Sequence, residues 1–185
     1  MRCTRSGGPD SDVTLDLRDA RAGDALVEHI AATSGRLDGV VVAAGIVAFG
    51  DLVDTDDVVV EELFLTNAMG PMWLAKRVAP VLQSSQGFFV NLSGVVAEAP
   101  MPGMAAYSAS KAAAAAATEA VRREFRRMKV AVIDVRPPHT ETGLATRPLA
   151  GSAPKMPQGL DPAAVAERVV AAIEQGDAAV ASTDF

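Results

Sequence analysis

A chain of 185 residues, 49% apolar and 22% charged, is sized for one domain with a substantial core. Its lone cysteine, Cys3, forbids an intrachain disulfide and an all-cysteine zinc site, and a net charge of −6 argues against nucleic acid as partner. The longest apolar run, 40–49, is too short to span a bilayer, and the first residues lack a signal-peptide core, so the expectation is a soluble, cytoplasmic protein with no membrane partner.

Residues 1–12 are polar and read as a loose lead-in. Val13–Leu17 alternates like a strand. Residues 23–34 carry Leu26, Val27, Ile30 and Ala31 at helical spacing. Residues 39–44 (GVVVAA) form a continuous apolar run ending at Gly45, as suits a strand buried on both faces. Thr55 or Asp56 is placed to cap a helix that runs to about Leu82, with Pro71 as a kink point. Phe88–Ser93 reads as a second buried strand and 94–103 as a loop. Residues 105–128 are strongly helical, with an unbroken alanine run at 112–117. A third buried strand, 129–135, ends at Pro137 and Pro138. A Pro/Gly/Ala-rich stretch covers 144–160, Asp161 caps a last helix over 162–175, and 178–181 reads as a final short strand. Buried strands alternating with helices predict an α/β fold: one doubly wound parallel sheet in one domain over 1–185. Ligands of such sheets bind beyond the carboxyl ends of the strands, here just after 45, 93 and 135.

One pair of residues there carries chemistry. In Tyr107-Ser-Ala-Ser-Lys111 the phenol and the ammonium lie four apart on one helix face. An ammonium favours the phenolate, which lets a tyrosine exchange a proton near neutral pH. Tyr107 is the only tyrosine in the chain.

The segment from Phe89-Val-Asn-Leu-Ser-Gly to Tyr107-Ser-Ala-Ser-Lys111 resembles the active-site region of the short-chain dehydrogenase/reductase family. Further landmarks follow in order: Asp16 at the end of the first strand, Val41-Val-Ala-Ala44-Gly45, Asn67 within Asn67-Ala-Met-Gly70-Pro71, and Arg136-Pro137-Pro138-His-Thr-Glu-Thr142. The resemblance spans about 13–180 and implies a Rossmann-like sheet and hydride transfer between NAD or NADP and a small alcohol or carbonyl substrate. It makes Tyr107 the acid/base, Lys111 the group that lowers the phenol's pKa and binds the nicotinamide ribose, and Asn67 the holder of a relay water. Ser93 is the nearest hydroxyl to the family's serine position. Asp16, Ala44, Gly45, Pro137 and Thr142 fall where the family contacts the cofactor, 144–160 where it keeps a substrate lid, and the helices at 55–82 and 105–128 where it forms a homodimer or tetramer.

Three departures are visible. Gly94 stands thirteen residues before the tyrosine, where the family has serine. Val42, Ala43 and Pro138 replace family asparagines and a glycine. The glycine-rich phosphate turn is absent, and no strand is expected before Gly7-Gly8. The sheet is thus predicted to miss its first strand–helix–strand unit, which weakens cofactor binding. The strand at 13–17 is expected to move beside 39–44 or stay unpaired, failing which 40–42 becomes an exposed apolar edge. The alternative reading is a non-catalytic remnant, or a start set too late, that folds and dimerises but binds cofactor poorly.

Other candidates have blander readings. His139 is read as a loop histidine and His29 as a surface one. Arg122, Arg123, Arg126, Arg127 and Lys129 form a solvated helix end that suits the helix dipole. Met69, Met72 and Trp73 are core or dimer contacts, and Met101 and Met104 are placed to line a substrate pocket.

Overall fold

The computed structural model describes residues 1–5 and 13–185. Gly7-Gly8 and the rest of 6–12 lie outside the described residues. The strands are β1 (Cys3–Thr4), β2 (Val13–Thr14), β3 (Gly39–Val42), β4 (Phe88–Leu92), β5 (Ala131–Val135) and β6 (Ala179–Val180). The helices are α1 (Ala22–Thr33), α2 (Asp57–Phe64), α3 (Gly70–Ser85), α4 (Ala105–Phe125) and α5 (Pro162–Gln175).

The apolar runs form a four-stranded parallel sheet in the order β3-β4-β5-β6. Alternation along the strands fills two cores. Val42, Phe89 and Val132 pack with Leu26, Ile30, Val78, Leu82 and Phe125, from α1, α3 and α4. Val90, Ile133, Val135 and Val180 pack with Val169 and Ala172 of α5. Helices therefore cover both faces, which makes the fold an α/β doubly wound, Rossmann-like architecture.

The N-terminal region corrects two expectations. Cys3–Thr4 lies within the stretch read as loose and forms a strand ahead of Gly7-Gly8. It pairs in parallel with Val13–Thr14, and the Leu15 N–H donates to Thr4 O at 2.9 Å. The strand predicted over 13–17 is thus only two residues long, and it neither joins β3 nor stays unpaired. Cys3 of β1, with Leu15 and Leu17 after β2, packs on the main core. Of the third outcome, an exposed apolar edge at 40–42, only Val41 is exposed, at 47%: β3 ends the larger sheet among the described residues, but Val42 is buried and Val40 packs on the core.

The single helix expected over 55–82 is three pieces. Asp56 is the N-cap of α2, although its side chain makes no capping bond. A π-helical turn, Leu65–Met69, then inserts before α3. Pro71 sits in the first turn of α3, directly after the π turn. The cap at Asp161 is as read: its Oδ1 accepts from the Ala163 N–H at 3.0 Å.

Candidate active site

The site forms where β3, β4 and β5 end and α4 begins. The α4 helix buries Tyr107, Ser110, Lys111, Ala114 and Thr118; Lys111 reaches the end of β4, while Tyr107 packs with Val47, Phe49, Leu63 and Val96. Asn91 of β4 anchors that face, donating from Nδ2 to Thr118 Oγ1 at 3.0 Å.

Asn67 lies in the π turn and is 2% exposed. Its Oδ1 accepts from the Ile46 N–H at 2.9 Å, and its Nδ2 donates to Ile46 O at 2.9 Å and Ser110 Oγ at 3.0 Å. Both amide donors are spent, so the side chain fixes the loop after β3 and has no N–H left for a water. Ser110, a residue the sequence reading passed over, donates onward to Tyr107 O at 2.8 Å. The Tyr-x-x-Ser spacing was the available signal.

Lys111 Nζ donates to Leu92 O at 2.9 Å. An ammonium has three N–H donors, so this bond uses one. A Cβ added at Gly45 would sit 3.2 Å from Asn67 Oδ1 and 3.3 Å from Lys111 Nζ. Glycine thus lets the backbone after β3 approach the amide and the ammonium closely, at the head of the sheet.

Burial sets the charges. It pushes the Tyr107 phenol up to about 12. It pulls Lys111 down to about 8, partly offset by the Asp134 carboxylate. The expected lowering of the phenol by Lys111 is therefore not seen. Both groups are desolvated, and the ammonium bonds the backbone of β4 instead. With a raised value the phenol is a proton donor at neutral pH.

Ser93 corrects a second expectation. It is 1% exposed, and its hydroxyl donates to Asp134 Oδ1 at 2.7 Å. Its proton is committed to a carboxylate on β5. Gly94 adopts φ +103° and brings no hydroxyl; a Cβ there would find only Pro137 O, at 3.8 Å. The Val95 N–H donates to Pro137 O at 3.0 Å, so Pro137 closes the floor beside Gly94.

The other expected cofactor contacts are spread around this centre. Ala44 is exposed beyond β3. Asp16 is gripped by Arg18, whose Nη2 approaches Oδ2 to 2.6 Å, which holds the carboxyl below its usual range. Thr142 is exposed, its N–H donating to Thr140 O at 2.7 Å. The stretch 144–160 is tied down: Leu149 N–H donates to Val47 O at 2.7 Å, and Phe49 N–H to Ala150 O at 3.0 Å. Leu144, Ala145, Ala150 and Ala153 pack on the cluster that holds Tyr107, Met104 and Val96. Met104 is buried, whereas Met101 is exposed. His139 Nε2 lies 3.4 Å from Glu141 Oε1, and Arg122 and Arg123 pair with Glu119, as the blander readings expected.

A family model described as short chain dehydrogenase matches residues 4–150. The chain belongs to the short-chain dehydrogenase family. Dehydrogenase/reductase SDR family member 7B of Bos taurus is 30% identical over 169 residues, 87% of this chain and 52% of that protein. Short-chain dehydrogenase ptmH of Penicillium ochrochloron is 32% identical over 124 residues, 67% of this chain and 45% of that protein. This short-chain dehydrogenase chain thus spans about half the length of the curated relatives it matches. A short chain dehydrogenase from Burkholderia cenocepacia in complex with NADP shares its fold at TM-score 0.82 and 24% identity, over 97% of this chain and 74% of that one. An alcohol dehydrogenase from Thermococcus sibiricus complexed with 5-hydroxy-NADP does so at 0.78 and 23%, over 92% and 73%.

Proposed function

We propose that this chain carries an NAD(P)-dependent oxidoreductase site acting on a small alcohol or carbonyl compound. The observation that carries the reading is the close approach of Gly45 to Asn67 and Lys111, with Tyr107 one helical turn from that lysine on α4. The residues present fit the nicotinamide half of such a cofactor: a glycine where a side chain would intrude, and an ammonium with donors to give. When bound, the cofactor supplies or accepts the hydride. Lys111 would hold it through hydroxyl groups. Tyr107, protonated at neutral pH, would give a proton to a carbonyl oxygen in reduction. Asn67 and Ser110 hold the two helices in register. Asp16, already paired with Arg18, favours weak binding.

A second reading, a chain that folds without turning over substrate, is favoured by Gly94, which offers a substrate oxygen no hydroxyl. For assembly, the reading is a homodimer or tetramer through α3 and α4. Met72, 40% exposed, supports it by lining a shallow groove with Ala68, Ala114 and Ala117.

Calorimetric titration with NADH and NADPH tests the site. Saturable binding weaker than about 1 µM is expected, and Gly45→Val should weaken it at least tenfold or so. Absence of saturable binding, or binding indifferent to Gly45→Val, contradicts the reading.

A further inference from the structure

Leu52, Val53, Met101 and Leu149 are large apolar side chains left exposed, Val53 by 92%. They sit on three segments, the loop after β3, the loop before α4 and the stretch 144–160, which backbone bonds lace together. The Gly50 N–H donates to Gly103 O at 2.8 Å, the Leu149 N–H to Val47 O at 2.7 Å and the Phe49 N–H to Ala150 O at 3.0 Å. Gly151, at φ +72°, permits the close approach, since a Cβ there would collide with Phe49 O. Each exposed residue lies within three positions of one of these bonds. The same three segments bury Tyr107: Val47, Phe49, Met104 and Ala150 belong to its apolar cluster. Apolar surface thus continues from the phenol's surroundings out to solvent, and such surface marks a binding site.

We propose, on the oxidoreductase reading of Tyr107, that this rim holds the hydrocarbon part of an uncharged carbonyl or alcohol substrate and selects for its length. Continuity with the Tyr107 cluster chooses a substrate as the occupant. Charge chooses an uncharged one. Asp51, Asp54, Asp56 and Asp57 are exposed around Leu52 and Val53, and among the described residues none of them forms an ion pair. The cations on the three segments are Arg147 and Lys155, and Arg147 is turned onto Gly143 O and Thr142 O at 3.1 and 3.4 Å. An anionic tail is therefore repelled, and so is an anionic lipid surface. Each methylene that the rim covers tightens binding.

The test is a nuclear magnetic resonance titration of the whole chain, carrying 13C-methyl methionine, with 2-butanone, 2-nonanone and sodium nonanoate. The Met101 signal is assigned by its loss in Met101→Leu. 2-Nonanone should shift it saturably and bind at least about thirtyfold more tightly than 2-butanone, and nonanoate should bind about tenfold or more weakly than 2-nonanone. Leu52→Ser/Leu149→Ser, at two exposed positions, should cut the preference for the longer ketone about fivefold or more. Should that double variant fail to fold, Leu149→Ser alone carries the comparison. Equal affinities for the two ketones, nonanoate binding as well as 2-nonanone, or a preference untouched in the folded variant overturns the proposal. A Met101 shift that follows protein concentration instead of ketone places a second copy on the rim and overturns it too. The readout needs no turnover: ketone bound at the rim of a chain that oxidises no NADPH counts against the oxidoreductase reading alone, and turnover with no preference for chain length counts against the rim alone.

Discussion

Asn67 and Ser110 are joined by a 3.0 Å hydrogen bond, Nδ2 donating to Oγ, which locks the π turn before α3 to α4 one residue before Lys111. The same amide closes two bonds to Ile46. One side chain thus ties the loop after β3 to the helix that carries Tyr107.

Removing that side chain should cost stability first. Asn67→Ala leaves the Ile46 N–H and C=O and Ser110 Oγ short of a partner in a buried setting, a loss of about 2–4 kcal/mol. Ser110→Ala, which orphans a single amide donor, should cost about 1–2 kcal/mol. Urea denaturation ranks the two; equal or negligible losses would show that the bonds do not hold the site together.

The alkaline stability profile should report Lys111. Its folded-state value, about 8, lies below the ordinary 10.5, so burial of the charge weakens the fold at neutral pH. Between those values the unfolded chain binds more protons than the folded one, and stability rises with pH by up to roughly 3 kcal/mol. Tyr107 has the opposite sign: its value rises from 10 to about 12, so stability falls again as pH climbs through that interval. Denaturation curves across this range should show the rise in the parent chain and its absence in Lys111→Met. A rise of the same size in both would remove Lys111 as its source.

Gly94 is held at φ +103° with open space around it. Any residue with a Cβ resists that backbone, so Gly94→Ala should lower stability by about 1–2 kcal/mol despite the room available. A neutral result in thermal melts would mean the loop shifts to another conformation at no cost.

The β3 edge should be adhesive. Val41 is 47% exposed on a terminal strand of the larger sheet. Val41→Lys places a charge on that edge, which discourages strand addition. Concentration-dependent light scattering should fall in the variant with its melting temperature little changed; scattering equal to the parent's would clear the edge of blame.

The sequence made β3, β4 and β5 legible because each is an apolar run closed by glycine or proline, and α5 because Asp161 and Pro162 mark its start chemically. It hid β1, since two residues carry no periodicity and their pairing with Val13–Thr14 is non-local. It hid the π turn, because one extra residue barely disturbs a helical pattern. Tyr107, Lys111 and Asn67 were readable as a site from spacing and resemblance. Their electrostatics were not, because burial rather than proximity decides both pKa values. Asp134 left one signal, a lone carboxylate inside an apolar strand. Its tie to Ser93 depends on the register of β4 on β5, which no local pattern encodes.

The most direct test is turnover by the purified chain. NADH or NADPH oxidation is followed against a panel of small aldehydes and ketones, in the parent and in Tyr107→Phe. Carbonyl-dependent oxidation in the parent and its loss by about a hundredfold or more in Tyr107→Phe is the expected result. Equal turnover in the two would contradict a proton donated by Tyr107 and, with it, the proposed site.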